Sequence, residues 1–512
     1  MDRKGKIFRN TFVGTLCYFA TLLIGFVTRT IFIYLLGKDY LGINGLFTNI
    51  LSLLSFAEMG IGTAIIYALY KPLAEDNKRE VAALMNFYKK AYSFIGIFIT
   101  VAGLCLAPFL GVLIKDKPDI QYLELFYILI LADTVVSYFF TYKRSIIIAS
   151  QNSYLNSLNN TVFTLLQNVL QIVILIITHS YILFLTVRIF TTLMSNIAIS
   201  KKADVLFPYL KEYKEEHIEK KTLKSIVKNV VAMMCSKFGA VMVAGTDNLL
   251  ISAFVGVQQV ALYSNYVMIN TMIYGVINQV YSAVTASVGN LNATEDTKHS
   301  YNAFQKLFFV NFVIICTCTS CLFVVFNPFI KVWIGEEYLF SMPVVGIIVL
   351  NFYITGMRNT SITYINTYGL FWQIKYKSLI EAVINIVASM VLLIRFEMGI
   401  YGVLLGTTIS TLFTNVWWEP YVVYKTKFKR SVMGYLLTLL GYTAVTCIVC
   451  AVSQYISLLL PEKGLLGVIL RIAICLVADF GIITVIFGRT ENYRYCIKTA
   501  KDYLVKFINK QN

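Results

Sequence analysis

The sequence has 512 residues and a formal net charge of +17; 58% of its residues are hydrophobic and 14% are charged. Soluble globular proteins carry about 25% charged residues, so this composition excludes a soluble protein. Apolar runs of about twenty residues, the length that crosses a bilayer as a helix, recur along the whole chain. The sequence therefore predicts an all-α polytopic membrane protein.

The apolar runs predict fourteen transmembrane helices in chain order. They cover residues 11–36, 41–70, 84–114, 121–148, 154–177, 181–206, 229–255, 260–289, 304–333, 342–366, 374–395, 400–424, 433–458 and 464–488. The first run is too long for the core of a cleaved signal peptide, which has about 7–15 residues. It also continues directly into the second run, so we expect it to be a membrane span.

The lysines and arginines predict the orientation of the chain. Most of the 44 lie in loops on the side of the N-terminus, and cytoplasmic loops of membrane proteins are enriched in these residues. Both termini are therefore predicted to be cytoplasmic. Because the positive charge is spread over loops that face anionic lipid, we expect membrane lipids as partners and no nucleic acid.

A short motif occurs twice and indicates duplicated halves. Gly37-x-x-x-Leu41-Gly42-Ile43 recurs 219 residues later as Gly256-x-x-x-Val260-Ala261-Leu262, and internal repeats are common in transporters. We therefore predict two pseudo-symmetric six-helix lobes and a C-terminal helix pair. The predicted domains are an N-terminal lobe at 1–206, a cytoplasmic connector at 207–228, a C-terminal lobe at 229–424, and an appended helix pair with a cytoplasmic tail at 425–512.

Two acids and two bases fall within spans one, two and seven. An ionisable group in the middle of a span costs about 2.5–3.5 kcal/mol, so such residues indicate function. At a rise of about 1.5 Å per residue, Arg29 and Asp247 lie at one level, and Glu58 and Lys237 at a deeper one. We hypothesise that the two lobes form Arg29–Asp247 and Glu58–Lys237 contacts in alternation, and that opening a pair frees its base for an anionic substrate.

Four further charged residues lie in the later spans or near span ends. Arg358 is in the middle of span ten, where it cannot easily reach an interface, and we expect it to face a cavity and to bind substrate. Asp133 is a candidate for ion coupling, and the alternative is a bond within its own bundle. Arg188 is predicted to lie at an interface, and Glu419 to have a structural role near one.

No catalytic constellation, metal-ligand set or nucleotide-binding loop emerges from the sequence. The Cys447-x-x-Cys450 pair and the Cys316, Cys318 and Cys321 cluster have metal-like spacing but no neighbouring histidine. We interpret these cysteines as small packing residues. The chain is therefore predicted not to be an enzyme and to have no cofactor. Transport would then draw on an H+ or Na+ gradient, on the substrate gradient, or on another protein.

Four motifs resemble those of the Wzx-type bacterial polysaccharide flippases, which belong to the multidrug/oligosaccharidyl-lipid/polysaccharide exporter superfamily. These motifs are Leu36-Gly-x-x-Tyr-Leu-Gly-Ile-Asn-Gly-Leu-Phe47, Phe56-Ala-Glu-Met-Gly-Ile-Gly62, Leu69-Tyr-Lys-Pro-Leu-Ala74, and Thr246-Asp-Asn-Leu-Leu-Ile251 with Tyr263-Ser-Asn-Tyr266. The likeness covers the whole chain, and the sharpest motifs lie in spans one, two, seven and eight.

The resemblance implies two lobes around a central cationic cavity in the bacterial cytoplasmic membrane. It implies a flippase that moves undecaprenyl-pyrophosphate-linked oligosaccharide across that membrane for cell-surface polysaccharide biosynthesis, with polymerase and assembly proteins as further partners. Arg29 would bind the pyrophosphate, Glu58 would be the acid of the second helix, and Asp247 would belong to the charged set of the seventh. Lys237 and Arg358 are assigned to the substrate from the residues alone.

Three other functions remain open on the sequence. A flippase for the peptidoglycan precursor shares the number of spans and the cationic cavity. An ion-coupled multidrug exporter of the same superfamily typically has twelve spans and an acidic cavity, so fourteen spans and Arg29 argue against it. A scaffold of a polysaccharide assembly machine, without transport activity, is the third.

Overall fold

The computed structural model describes residues 3–58, 61–113, 120, 122–150, 152–213, 216–218, 223, 242, 245–294, 297–370, 372–459 and 464–498. The α-helices of nine or more described residues are numbered in chain order: α1 (Arg3–Leu54), α2 (Ile61–Ala74), α3 (Lys78–Leu106), α4 (Leu123–Ala149), α5 (Ser153–Thr178), α6 (Tyr181–Leu206), α7 (Val257–Thr294), α8 (Thr297–Ile334), α9 (Met342–Met357), α10 (Asn359–Tyr368), α11 (Lys377–Ile394), α12 (Ile400–Phe413), α13 (Asn415–Val423), α14 (Met433–Leu458) and α15 (Gly464–Phe487). Those ranges contain no β-strand.

Ten helical stretches within the described ranges are long and apolar enough to cross a membrane. The first, Val13–Leu54, has 42 residues, or about 63 Å, which is about twice the thickness of the hydrocarbon core. It therefore contains span one and about the first half of span two. Spans ten and twelve are each divided between two shorter helices, α9 with α10 and α12 with α13. With span seven, which is described only in part, the total is about fourteen, and the predicted all-α membrane fold is confirmed.

A break in α1 lies at the predicted turn between spans one and two. Gly37 there has φ 80° and ψ −174°, a conformation that the missing Cβ of glycine permits. Its predicted counterpart, Gly256, has φ 137° and separates the π-helical segment Ile251–Val255 from α7. The two copies of the sequence motif therefore both begin with a glycine at positive φ.

The chain forms two compact units, residues 1–264 and residues 265–512. The boundary falls within α7. Residues 245–264, which the sequence assigns to the C-terminal lobe, therefore group with unit 1. The finer division into a lobe at 1–206, a connector at 207–228, a lobe at 229–424 and an appended part at 425–512 stays a prediction.

Close backbone packing explains why residues 245–264 belong to unit 1. A Cβ added to Gly42 would lie 2.4 Å from the carbonyl oxygen of Val257. A Cβ added to Gly245 would lie 2.4 Å from the Leu53 Cδ2 atom. Small residues at such positions let membrane helices approach closely, so the second half of α1 packs tightly against residues on both sides of Gly256.

An apolar core joins α2, α3, α4 and α6 within unit 1. It includes Ile65, Leu69, Tyr88, Ile146 and Ile199, all of which are buried. α1 packs along α5, and α5 packs against α6. Ion pairs and hydrogen bonds between these helices are therefore held in place by helices on several sides.

Stacked aromatic rings join α8 to α14 within unit 2. The rings of Phe312 and Tyr442 are 4.1 Å apart between centroids, and those of Phe308 and Tyr435 are 4.6 Å apart. α15 also packs along α8. The two C-terminal helices predicted from the sequence are thus anchored on α8 through large buried side chains, which contribute about 0.5–1.5 kcal/mol per aromatic pair beyond burial.

Replacing Gly406 with valine is expected to destabilise the pairing of α11 and α12. A Cβ at this position would lie 2.0 Å from Ser389 Oγ and 2.9 Å from the Ser389 backbone nitrogen, so the helices must separate. Overpacking typically costs about 1–3 kcal/mol. The midpoint of thermal unfolding in detergent should fall, whereas Gly441→Val, at an open position of α14, serves as the control. Equal midpoints would contradict the packing.

Candidate functional site

Arg29 lies in the first half of α1 and contacts α7 within unit 1. Its Nη2 atom donates a hydrogen bond to Ser264 Oγ over 2.6 Å, and that hydroxyl donates to the Ala261 carbonyl oxygen over 2.7 Å. The Arg29 side chain is half-buried. The sequence predicted Asp247 of span seven as the partner of Arg29, whereas this hydrogen bond is to Ser264 of span eight, which the sequence did not single out.

Asp247 lies in a helical stretch just before the π-helical segment and is only 5% exposed. Its carboxylate acts electrostatically on Tyr263, near the start of α7. Beside the turn, Gln258 Nε2 donates a hydrogen bond to Asp39 Oδ1 over 3.0 Å. Both Arg29 and Asp247 thus belong to unit 1, and their pairing across two lobes stays a prediction.

Glu58 lies where the α-helical conformation of span two is interrupted. It ends a 3-10 segment, Ser55–Glu58, and α-helix is described again from Ile61. Tyr92 donates a hydrogen bond to Glu58 Oε1 over 3.2 Å, and Tyr138 lies close enough to interact electrostatically with this carboxylate. Discontinuous helices are typical of transporter binding sites. The break therefore supports Glu58 as a candidate for gating or ion coupling.

The predicted partner of Glu58 is Lys237, which lies outside the described residues. The Glu58–Lys237 contact and the substrate-binding role of Lys237 therefore stay predictions. What the structure adds is a set of partners for Glu58 within unit 1: the tyrosines come from α3 and α4, and their rings lie 6.4 Å apart. The hydroxyl donor of Tyr92 reduces the cost of a carboxylate inside the membrane.

Asp133 and Arg188 form an ion pair between α4 and α6. Arg188 Nε lies 2.7 Å from Asp133 Oδ2, and Thr192 Oγ1 donates to Asp133 Oδ1 over 2.7 Å. The alternative of a bond within one bundle is therefore the arrangement observed. A role of Asp133 in ion coupling stays a prediction. Arg188, predicted to lie at an interface, is paired with Asp133 of α4.

Arg144 was not singled out because it lies near the cytoplasmic end of the predicted span 121–148, where arginine is common. In the structure it lies near the end of α4 and bonds to α5 and α6. Its Nη2 atom donates to Asn196 Oδ1 over 2.8 Å and to Ser195 Oγ over 3.1 Å, and its Nη1 atom donates to Asn160 Oδ1. These partners are neutral side chains, so Arg144 differs from Arg188, which forms an ion pair with Asp133.

Arg358 lies at the junction of α9 and α10, in the middle of span ten. Its Nε atom is 3.0 Å from Glu419 Oε2, and its Nη2 atom is 2.7 Å from Glu419 Oε1. Lys377 Nζ also lies 2.6 Å from Glu419 Oε1. Glu419 is 1% exposed, Lys377 is 6% exposed, and the Arg358 side chain is 15% exposed. The three side chains form a buried ion triad inside unit 2, and the substrate-binding role of Arg358 stays a prediction.

Helix breaks position the buried triad. Thr414, with φ −121° and ψ −73°, separates α12 from α13, and α13 carries Glu419. Next to the triad, Asn415 donates a hydrogen bond to the buried Glu381 carboxylate. Lys377 and Glu381 are four residues apart on α11 and therefore lie on one face. That spacing is a sequence signal for the pair, but Lys377 lies near the end of the predicted span 374–395, where a lysine is expected at the membrane boundary.

The polar contacts among the described residues can bind an anion or hold helices together. No group of three histidine, cysteine, aspartate or glutamate side chains that could hold a metal ion occurs among the described residues. Arg29 offers a planar fork of donors suited to phosphate. Arg358, by contrast, already binds a carboxylate through two of its nitrogens.

A family model described as "polysaccharide biosynthesis protein" matches residues 7–286, which is more than half of the chain. The chain has no significant match among curated protein sequences.

Solved structures of transporters share the fold. An inward-facing multidrug resistance MATE family transporter of the MOP superfamily is 14% identical, with a TM-score of 0.63, covering 81% of this chain and 99% of its own. The lipid II flippase MurJ in an inward closed conformation is 13% identical, with a TM-score of 0.63, covering 93% of this chain and 99% of its own. A MOP superfamily transporter from Pyrococcus furiosus is 14% identical, with a TM-score of 0.56, covering 84% and 98%.

Proposed function

Because the chain belongs to the polysaccharide biosynthesis protein family and has the fold of MOP superfamily transporters, we propose that it flips undecaprenyl-pyrophosphate-linked oligosaccharide across the bacterial cytoplasmic membrane. The resemblance predicted from the motifs is confirmed at the level of the family. Under this proposal both termini are cytoplasmic and the product is used for cell-surface polysaccharide.

The half-buried guanidinium of Arg29 is the observation on which the choice of substrate rests. It lies in an apolar helix and donates to the neutral hydroxyl of Ser264. A charged group there costs free energy, which favours a functional role. Pyrophosphate cannot cross hydrocarbon unaided, and a guanidinium binds phosphate through two parallel hydrogen bonds. Arg29 is therefore proposed as the pyrophosphate ligand.

Alternating access would move the polar part of the substrate without a chemical step. The sugars would occupy a water-filled cavity while the polyprenyl chain stays in the bilayer. Lys237 and Arg358 are proposed as further substrate ligands, although Arg358 must first leave Glu419. Glu58, Asp247 and Asp133 are proposed to gate the movement or to couple it to H+ or Na+.

A deletion strain tests the proposed substrate directly. Without the protein, the lipid-linked oligosaccharide is expected to accumulate in the cytoplasmic leaflet, and surface polysaccharide is expected to fall. The measurement combines extraction of the lipid-linked sugars with their accessibility to an externally added, membrane-impermeant label. Labelling equal to that of the parent strain would contradict the proposal, and a plasmid copy of the gene provides the control.

A peptidoglycan-precursor flippase is the second candidate. The structure of the lipid II flippase covers 93% of this chain, against 81% for the inward-facing multidrug transporter. Complementation of a strain depleted of its own lipid II flippase distinguishes the two: growth would favour this alternative, and continued lysis would favour the oligosaccharide.

An ion-coupled multidrug exporter is the third candidate, because multidrug resistance transporters of the MOP superfamily also share the fold. A drug exporter for cations is expected to have an acidic binding site, whereas Arg29 supplies a positive charge. Susceptibility testing of the deletion strain decides: increased susceptibility to several unrelated cationic drugs, with normal surface polysaccharide, would favour the exporter.

The polymerase and assembly proteins of the pathway are proposed as protein partners.

A further inference from the structure

A basic cavity opens at the charged end of α3 in unit 1. Its volume is about 740 Å³, which is within the range of small-molecule sites. Lys89 and Lys90 of α3, Lys143 of α4, and Lys211 line it, and the acid in the lining is Asp204 of α6. We call this the α3 basic cavity; it is formed by residues other than those proposed to bind the flipped substrate.

The lysines of the cavity outnumber its acid. Asp204 is shared by two of them: Lys143 Nζ lies 2.7 Å from Asp204 Oδ1, and Lys211 Nζ lies 3.5 Å from Asp204 Oδ2. Lys89 and Lys90 are exposed and form no ion pair with another residue in the part of the chain that the structure describes. The cavity therefore keeps a net positive charge that a bound anion can neutralise.

The wall of the cavity continues into an exposed apolar strip on α3. Phe94 and Ile97 line the cavity and are 71% and 57% exposed. Phe98, Val101 and Leu104 continue the strip along the helix, and they are also exposed. α3 is long and apolar enough to span the membrane, so this strip faces acyl chains. The lysines therefore lie at the level where a membrane helix meets lipid headgroups.

We propose that the α3 basic cavity binds an anionic phospholipid of the bilayer. The lipid phosphate lies against Lys89 and Lys90, and an acyl chain follows Phe94 and Ile97 along α3. A soluble phosphate compound would satisfy the lysines equally well, but it would leave the apolar wall uncovered. The combination of basic and apolar walls therefore favours a lipid, and the proposal does not depend on which substrate the protein flips.

Lipid retention by the full-length protein tests the proposal. The protein is reconstituted in nanodiscs of equal parts phosphatidylglycerol and phosphatidylcholine, extracted into mild detergent, and analysed by native mass spectrometry. We expect phosphatidylglycerol adducts to exceed phosphatidylcholine adducts at least fivefold. The double variant K89Q/K90Q is expected to lose this preference. The matched control is K201Q/K202Q, which removes two adjacent exposed lysines at the end of α6.

Two further measurements separate a lipid site from a soluble phosphate site. Phe94→Ser is expected to reduce phosphatidylglycerol retention at least threefold, and 1,000-fold excess inorganic pyrophosphate is expected to leave it largely unchanged. Equal retention of both lipids would overturn the proposal. So would equal loss in the control variant, or displacement by pyrophosphate with no effect of Phe94→Ser. Size-exclusion profiles identical to that of the parent protein show that each variant is folded.

Discussion

Replacing Arg29 with glutamine is expected to lower oligosaccharide flipping by at least about tenfold. Glutamine keeps a donor for Ser264 but loses the positive charge, and hydrogen bonds to charged groups contribute about 1.5–3 kcal/mol, where about 1.4 kcal/mol is a factor of ten. Arg29→Lys is expected to have an intermediate effect, because lysine keeps the charge without the planar fork. The measurement is surface polysaccharide in the deletion strain carrying each variant.

Arg395→Gln is the matched control for Arg29→Gln. Arg395 is an exposed arginine at the end of α11, so its replacement removes the same charge away from the proposed site. Protein levels in the membrane must match in all strains. Normal surface polysaccharide with Arg29→Gln at a normal protein level would contradict the proposed role and would favour a scaffold without transport activity.

Replacing Glu419 with alanine is expected to destabilise the protein by about 3–5 kcal/mol. The change leaves Arg358 and Lys377 buried without the carboxylate that both contact, and removal of one partner from a buried ion pair costs about that much. The measurement is thermal or denaturant unfolding of the purified protein in detergent, followed by intrinsic fluorescence. Less folded protein should also be recovered from membranes.

Two comparison variants separate the triad from a general loss of charge. Glu337→Ala removes an exposed acid after α8 and is expected to change stability by less than about 0.5 kcal/mol. Adding Lys377→Met to Glu419→Gln is expected to recover part of the stability lost by Glu419→Gln alone, because one of the two unmatched cations is removed. No recovery in the double variant would contradict a shared carboxylate.

The helical membrane fold and the break at Gly37 could be predicted because both depend on local sequence. Apolar runs report membrane spans directly, and a glycine in a short turn motif reports a position that needs positive φ. The positive φ of Gly256 could be predicted in the same way, because the motif that begins at Gly37 recurs there. The grouping of residues 245–264 with unit 1 could not be predicted, because it depends on which helix faces receive small residues such as Gly42 and Gly245.

The sequence did not predict most partners of the buried charged side chains. Arg358 and Glu419 are 61 residues apart, and hydropathy does not encode how the two helices are rotated toward each other. The helix breaks at Arg358 and Thr414 also change the direction of the side chains that follow. The position of Asp133 was easier to predict. One of its two predicted roles was a bond within its own helix bundle, and the ion pair with Arg188 is such a bond.

The neutral surroundings of Arg144 differ from the charged triad in how readily they can rearrange. Asn415 follows Asn196 by 219 residues, the offset between Gly37 and Gly256, so related positions bond to an arginine in one half and to a glutamate in the other. Amide and hydroxyl partners can be exchanged for water at modest cost, whereas separating the ions of the triad is expensive. Deuterium uptake should therefore be faster around Arg144, near the end of α4, than around Glu419 in α13.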